Sequence, residues 1–436
     1  MTPHFGPTPR RLLAVLAMLS VLLPAWADAP PEFLVGNARA TLSIDGSASP
    51  WPMPLPRAPL GMLTVVEAEI NGVDGFRILV DTGAQTFILF DNDRVRALGL
   101  AVTGTFPVTG TGDGEPVVAR VARGASLRLG ALTLAELWPL ILPGAELAIF
   151  ADRNDTYIDG AIGFDLLARL ALITEARDGE ILLVPHGAIE PTGGDTVLTL
   201  THLGRDPYVD VGLTIEPEAE PISVSLHLDT GAALVAELRT DAHPLIASIP
   251  TGLGASLAGI QGQARAHHGR VSGLSLGPWT FGPAPVTVSA TAGDGPGGLG
   301  HGVLGNQLLN RFDTLIDYGA ARVILRPVAG SFAPFATGTF GFGAFPRGDA
   351  FEVGAIIEGG PAARAGLRRG DRITRWQGQR TSDVTTHEIF STLWFAKPRE
   401  PLGICLLDIA QTRERCVTLI AVDAVTRQAE SSLSNN

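Results

Sequence analysis

The string Asp81-Thr82-Gly83-Ala84 recurs as Asp229-Thr230-Gly231-Ala232, 148 residues further on. An aspartate followed by threonine and glycine has a definite chemical use. Glycine lets the chain turn sharply, the threonine hydroxyl can bond across to a partner loop, and the carboxylate is left pointing into a cleft. Two such carboxylates brought within a few Å cannot both ionise cheaply, so the pair keeps one proton over a broad acidic range. The ionised member can then draw a proton from a water that attacks a carbonyl carbon, while the protonated member supports the carbonyl oxygen. Which of Asp81 and Asp229 holds the proton is a property of the pair. A lone motif of this kind reads as a solvated β-turn; two copies in matching surroundings do not.

The surroundings do match. Leu127, Leu129 and Gly130 correspond to Leu274, Leu276 and Gly277, while Ile162-Gly163, Leu166-Leu167, Arg169 and Pro185 correspond to Leu304-Gly305, Leu308-Leu309, Arg311 and Pro327. The offset drifts only from 148 to 142 residues, as loop deletions would cause. Two copies of one unit of roughly 130 residues organise the chain. Alternating apolar residues, Ile78 and Val80 in one unit and Val224, Leu226 and Leu228 in the other, lead into each aspartate, which places it where a strand gives way to a loop. Midway through each unit come glycine-rich hairpin tips, Gly110-Thr111-Gly112-Asp113-Gly114 and Gly259-Ile260-Gln261-Gly262. The units close with the strand-forming runs Ile181 to Val184 and Val323 to Leu325, and Gly193-Gly194 marks the seam between them.

Composition narrows the function classes. The 436 residues include 45% hydrophobic and 17% charged side chains, with 52 glycines and 32 prolines, which excludes a disordered polymer and leaves a turn-rich β protein. Net charge is -12 and the only lysine is Lys397, so no basic stripe exists for nucleic acid and lysine-based covalent chemistry has little room. Arg10-Arg11, the apolar run Leu12 to Leu23 and the small-residue pattern Ala25-Trp26-Ala27 read as a secretory signal over 1–27. That places the mature chain in the periplasm or outside the cell, with no stable membrane span after cleavage. Cys405 and Cys416 flank a hairpin-like segment and could form a cross-strand disulfide; two reduced buried thiols are the alternative. Two cysteines alone make no zinc site, so no metal is expected.

On these motifs the chain resembles the retropepsin-like aspartic proteases of the pepsin clan over roughly residues 58 to 328. The resemblance rests on the paired Asp-Thr-Gly-Ala strings, the glycine-tipped flaps, and the segments Ala161-Ile162-Gly163-Phe164-Asp165-Leu166-Leu167 and Val303-Leu304-Gly305-Asn306-Gln307-Leu308-Leu309. It implies a mainly β, two-lobed acid-protease-like pseudo-dimer of β-barrels: Asp81 and Asp229 as catalytic groups, Thr82, Gly83, Ala84, Thr230, Gly231 and Ala232 as their support, and Gly110, Gly112, Gly114, Gly259 and Gly262 in the flaps. Retroviral members supply one lobe per chain and dimerise, whereas this chain carries two, which leaves the lobe pairing open. The implied substrates are peptides or proteins, and the chemistry needs no cofactor.

Further on, Pro361-Ala362-Ala363-Arg364-Ala365-Gly366-Leu367 and Gly370-Asp371-Arg372-Ile373 resemble bacterial PDZ domains. Gly341-Phe342-Gly343-Ala344 resembles their carboxylate-receiving loop, and Thr385 to Trp394 would wall the groove, implying a small α/β module that takes up an extended peptide ligand by strand addition. The expected organisation is a signal at 1–27, an N-terminal segment at 28–57, lobe 1 at 58–186, a linker at 187–195, lobe 2 at 196–328, a linker at 329–337, the PDZ-like module at 338–424 and a disordered tail at 425–436. Three other signals are set aside or left open. Gly273-Leu274-Ser275-Leu276-Gly277 matches a nucleophile-elbow string, but its first-unit counterpart has Arg128 in place of Ser275, so Ser275 is a strand residue. His267-His268 reads as a solvated loop. His227, two residues before Asp229 and opposite Leu79 in the repeat, either lines the cleft or is a satisfied core histidine. The chain thus reads as an exported aspartic endopeptidase, against a catalytically silent peptide-binding adaptor on the same lobes.

Overall fold

The computed structural model describes residues 15–17, 21–22, 30–46, 51–58, 60–112, 114–143, 158–176, 179–290, 300–407 and 413–425. The proposed cleavage site around 25–27, Asp113 and residues 426–436 of the tail lie outside them. The described residues are mainly β, 51% strand against 11% helix, with a sheet curled into a half-barrel.

Two 11-stranded sheets carry the repeat. In the first, the spatial order from the flap inward is Ala101–Gly110, Val117–Arg123, Leu140–Pro143, Ile88–Asp91, Gly160–Ile162, Val73–Val80, Val65–Ile70, Ala125–Leu129 and Leu132–Leu137. In the second, Thr251–Gly259, Gly262–Val271, Ala284–Ser289, Ala236–Arg239, Gly302–Gly305, Ile222–Asp229, Asp206–Thr214, Gly273–Leu276 and Trp279–Phe281 follow in the same order. The register agrees as well: Ile162 lies beside Val80 in a parallel pair, as Leu304 lies beside Leu228. The strand into each aspartate is central and covered on both faces, which is why Ile78, Leu79 and Val80 are all fully buried instead of alternating.

A third, six-stranded sheet joins the halves. Its order is Thr196–Thr199, Arg322–Pro327, Phe312–Asp317, Ala171–Thr174, Ile181–Val184 and Met53–Pro54, with Leu172 pairing antiparallel to Ile316 at the junction. The closing runs of the two units therefore meet in one sheet. Residues 30–46 and 51–54, to which the sequence assigned no role, pair with the first half and the shared sheet. Helix Glu32–Ala38 buries Asn37, strand Thr41–Ile44 extends the first sheet, and Met53–Pro54 extends the shared one. His267 and His268 depart from expectation: both lie on strand Gly262–Val271, His267 exposed and His268 half-buried, because this flap strand is ten residues long.

The C-terminal module has its own six-stranded sheet, with Phe342–Arg347 at one edge, and a helix Thr386–Trp394 closed by a Thr385/Glu388 capping box. Cys405 and Cys416 stand directly opposite each other in its hairpin and are bonded. The module is docked on the rest of the chain: Gly61 N donates to His387 Nδ1 at 2.9 Å, Arg270 pairs with Asp423 at 2.8 Å, and Leu253 N donates to Ala424 O. Among the described residues no helix is long and apolar enough to cross a membrane.

One buried group gives the fold a pH dependence. Glu237 is fully buried at the register position that Ile88 holds in the first half, and it accepts a short hydrogen bond from Ser289 Oγ. Burial pushes its carboxyl from 4.5 up to about 7. The folded chain holds this proton more tightly than the unfolded chain, so the stabilisation is complete below about pH 4.5 and is lost as pH rises through about 7, a change of ~3 kcal/mol. Glu237→Gln keeps the shape without the titrating proton. Denaturant midpoints between about pH 4.5 and 7.5 should show a flatter decline in the variant; an identical decline would assign the effect to other groups.

Candidate active site

Each aspartate ends a buried central strand, and the loop that follows turns back beneath it. Gly83 N donates to Asp81 Oδ1 at 2.8 Å, and Gly231 N donates to Asp229 Oδ1 at 2.7 Å. The two loops are locked to each other by reciprocal bonds. Thr82 Oγ1 donates to Leu228 O at 2.6 Å and accepts from Thr230 N at 2.9 Å, while Thr230 Oγ1 donates to Val80 O at 2.9 Å and accepts from Thr82 N at 3.0 Å. Each threonine thus bonds the opposite strand end, and the two carboxylates are carried face to face.

Glycine is required here for closeness. A Cβ on Gly83 would stand 3.0 Å from the Asp229 carboxyl group, and one on Gly231 would stand 2.7 Å from that of Asp81. Both aspartates are fully buried. Burial first, then the charge of Asp229 and a hydrogen bond with it, hold the Asp81 carboxyl well above the usual carboxylate range, against the lowering effect of the Gly83 and Gly231 amides. These surroundings favour the protonated form of the Asp81 carboxyl.

The downstream segments brace these loops. Phe164 N donates to Ala84 O at 2.9 Å and Asn306 N donates to Ala232 O at 2.8 Å, so the alanine carbonyls are what the segments after Ile162-Gly163 and Leu304-Gly305 grip. Asn306 Nδ2 also bonds Thr230 O and Met62 O. A polar network unread in the sequence stiffens the first loop: Asp165 accepts from Phe87 N, Thr86 Oγ1, Asn37 Nδ2 and Arg205, and Arg169 caps the carbonyls of Asn37 and Asp165. Asp165 stands within the quoted segment and Arg169 two residues after it, but Asn37 and Arg205 are too distant in sequence to be paired with them by spacing.

The glycine-tipped hairpins meet each other. Gly110 N donates to Gln261 Oε1 at 2.8 Å, Gly114 N donates to Gln261 O at 2.9 Å, Gln261 N donates to Thr111 O, and Gln261 Nε2 donates to Gly114 O at 2.8 Å. Gly112 turns with φ +133°, and a Cβ there would collide with the Gln261 carbonyl. Gly259 and Gly262 pair at the base of the second tip, where Gly262 has φ +87°. The sequence pointed to the glycines and passed over Gln261, although an amide between apolar and glycine residues in a hairpin tip was the available sign.

The remaining candidates lie elsewhere. Gly341, Phe342, Gly343 and Ala344 belong to the C-terminal sheet; Gly341 turns with φ +77° and its amide bonds Thr339 Oγ1, and the other three begin the edge strand. Ser275 is on a strand with its hydroxyl against Thr280 Oγ1 at 2.8 Å. His227 is buried beside Asp206.

Residues 66–166, which contain the first aspartate loop, the first flap and the Ile162-Gly163 segment, match the aspartyl protease family. No curated protein matches the chain.

The interlocked threonines make a stability prediction. Thr82→Ala would leave Leu228 O and Thr230 N buried without partners, at roughly 1–3 kcal/mol each, whereas Thr82→Ser keeps the hydroxyl. Denaturant unfolding should show a loss of about 2–4 kcal/mol for alanine and about 1 kcal/mol for serine. Equal losses would mean that the methyl group, not the hydroxyl, holds the loops.

Proposed function

We propose that this protein is an exported aspartic endopeptidase whose single active site uses Asp81 and Asp229. The observation that carries the reading is the meeting of two fully buried carboxylates on loops related by the internal repeat. In the working state the pair holds one proton. The ionised member takes a proton from a water, the resulting hydroxide adds to the peptide carbonyl carbon, and the protonated member donates to the carbonyl oxygen. As that gem-diol intermediate collapses, one of its hydroxyls returns its proton to the pair, the C–N bond breaks and the pair gives a proton to the leaving amine, which leaves a carboxylic acid, a free amine and the singly protonated pair.

Access requires the flap tips to part, since Gln261 closes them over one another. The outer edges of the flaps can hold an extended chain. Val15–Ala17 pairs parallel with Ser256–Ala258, and Val21–Leu22 pairs antiparallel with Thr109–Gly110. Backbone bonding of this kind suits a peptide substrate and is indifferent to side-chain identity. The apolar run 12–23 and the Ala25-Trp26-Ala27 pattern support export. In the C-terminal module, the free edge of Phe342–Arg347 and the helix Thr386–Trp394 support a PDZ-like role in binding a second peptide or a partner.

The experiment is cleavage of a peptide library by the wild-type chain, Asp81→Asn and Asp229→Asn across pH. Each asparagine removes the shared proton while keeping size, so each single variant should lose activity about a thousandfold or more. Wild-type activity should be highest at acidic pH and should fall as pH rises and the pair loses its remaining proton, the direction set by the raised Asp81 carboxyl. Activity that climbs continuously above neutrality, or that survives either substitution, would overturn the proposal.

A further inference from the structure

Three corresponding positions differ in chemistry between the halves. Strand pairing sets the correspondence: Leu60 bridges Leu63 as Leu203 pairs Asp206, Val65 pairs Leu79 as Tyr208 pairs His227, and Leu79 lies beside Ala161 as His227 lies beside Val303. Leu63, Val65 and Leu79 of the first half are thus replaced in the second by Asp206, Tyr208 and His227. The replacements are buried too, Asp206 to 2% exposure and His227 to 5%. A buried acid is expensive unless partnered, and its presence on one side only of a symmetric carboxylate pair asks for a chemical reason.

Asp206 reaches toward both aspartate loops. Its Oδ2 accepts from Gln85 Nε2 at 2.7 Å, and Gln85 lies four residues after Asp81. Its Oδ1 has no hydrogen-bond partner and faces His227 Nε2, which also has none, at 3.9 Å. A movement of about 1 Å would close this gap into a charge-assisted hydrogen bond. His227 is two residues before Asp229 on strand Ile222–Asp229, so the two side chains share a face. The Tyr208 ring lies 5.3 Å from that of His227, with Arg239 near enough to act on its hydroxyl. Asp229 acts on Asp206 by charge. The Tyr318 hydroxyl donates to Thr82 O and feels Asp206, Asp81 and Asp229 together, with His202 edge-on to its ring at 4.6 Å. Val303 is the register partner of His227 on the neighbouring strand.

Resting on the proteolytic reading above, we propose that Asp206 and His227 are positioning residues that bias the aspartate pair electrostatically from one side, Asp206 holding the Asp81 loop through Gln85 and His227 balancing its charge beside Asp229. Asp206 and Asp229 act on each other by charge, so each substitution changes the field at the aspartate pair. Asp206→Asn removes an acid that interacts with Asp229 by charge and whose negative form opposes ionisation of the aspartate pair, so the alkaline limb of the pH–kcat/KM profile should move to lower pH. His227→Leu, which installs the first half's residue, leaves the acid uncompensated, and the limb should move to higher pH. Each shift should be about 0.5 pH unit or more, and the double variant should fall between them.

The test is the full pH profile of kcat/KM for peptide cleavage by the wild-type chain, the two single variants and the double variant, with Asp81→Asn as the blank. Opposite shifts support the proposal. Profiles that superimpose after scaling by one factor, or shifts of the same sign, would overturn it and leave the pair a packing element. Should His227→Leu fail to fold, His227→Gln removes the charge with less change of polarity and carries the same expected sign. Wild-type cleavage equal to that of Asp81→Asn would instead overturn the proteolytic reading itself, a result separable from either of these.

Discussion

Two buried acids can stand together only if the scaffold holds them there, and in this chain four hydrogen bonds through Thr82 and Thr230 do so. Each hydroxyl donates to the strand that carries the other aspartate and accepts from the other loop's amide. A bond of this kind contributes about 1 kcal/mol net, and more is lost when a buried partner is orphaned. The four depend on one another and on the halves approaching in a single relative orientation. The shared six-stranded sheet sets that orientation from one side. The glycines at 83 and 231 permit the final approach, since a methyl group at either would press on the opposite carboxyl group.

Much of this was legible in the residues because duplication writes the same constraint twice. The paired Asp-Thr-Gly-Ala strings located both loops, the alternation before them located the strands, and the drift in offset located loop differences. The cross-strand position of Cys405 and Cys416 was also readable as one of two alternatives, and the hairpin register resolves it to the disulfide. What escaped were contacts between residues far apart in sequence with no periodic signature. Asn37 joins Asp165 across 128 residues, and Gln261 joins Gly110 across 151. His267 and His268 were read as a solvated loop because adjacent histidines on a strand point to opposite faces and do not form a site; pairing with Ala284–Ser289 places them on a strand all the same.

The halves keep the same strand order while their polar residues diverge. Asp206, Tyr208, His227 and Glu237 all occupy second-half positions where the first half has aliphatic residues. A pair of equal acids in equal surroundings would share its proton evenly; these substitutions make the surroundings unequal. The C-terminal module adds another one-sided feature. Its contacts run to Gly61, beside the Met62 carbonyl that Asn306 and Asn310 bond, and to the base of the second flap through Arg270 and Leu253.

The central claim is that Asp81 and Asp229 of one chain build one site. Mixing the Asp81→Asn chain with the Asp229→Asn chain, after joint unfolding and refolding so that halves are free to choose partners, tests it directly. Docking within a chain is favoured by the short connection at Gly193-Gly194 and its high effective concentration. The mixture should then be as inactive as either variant alone. Recovery of substantial peptide cleavage on mixing, which requires an intact Asp81 from one chain beside an intact Asp229 from another, would contradict it.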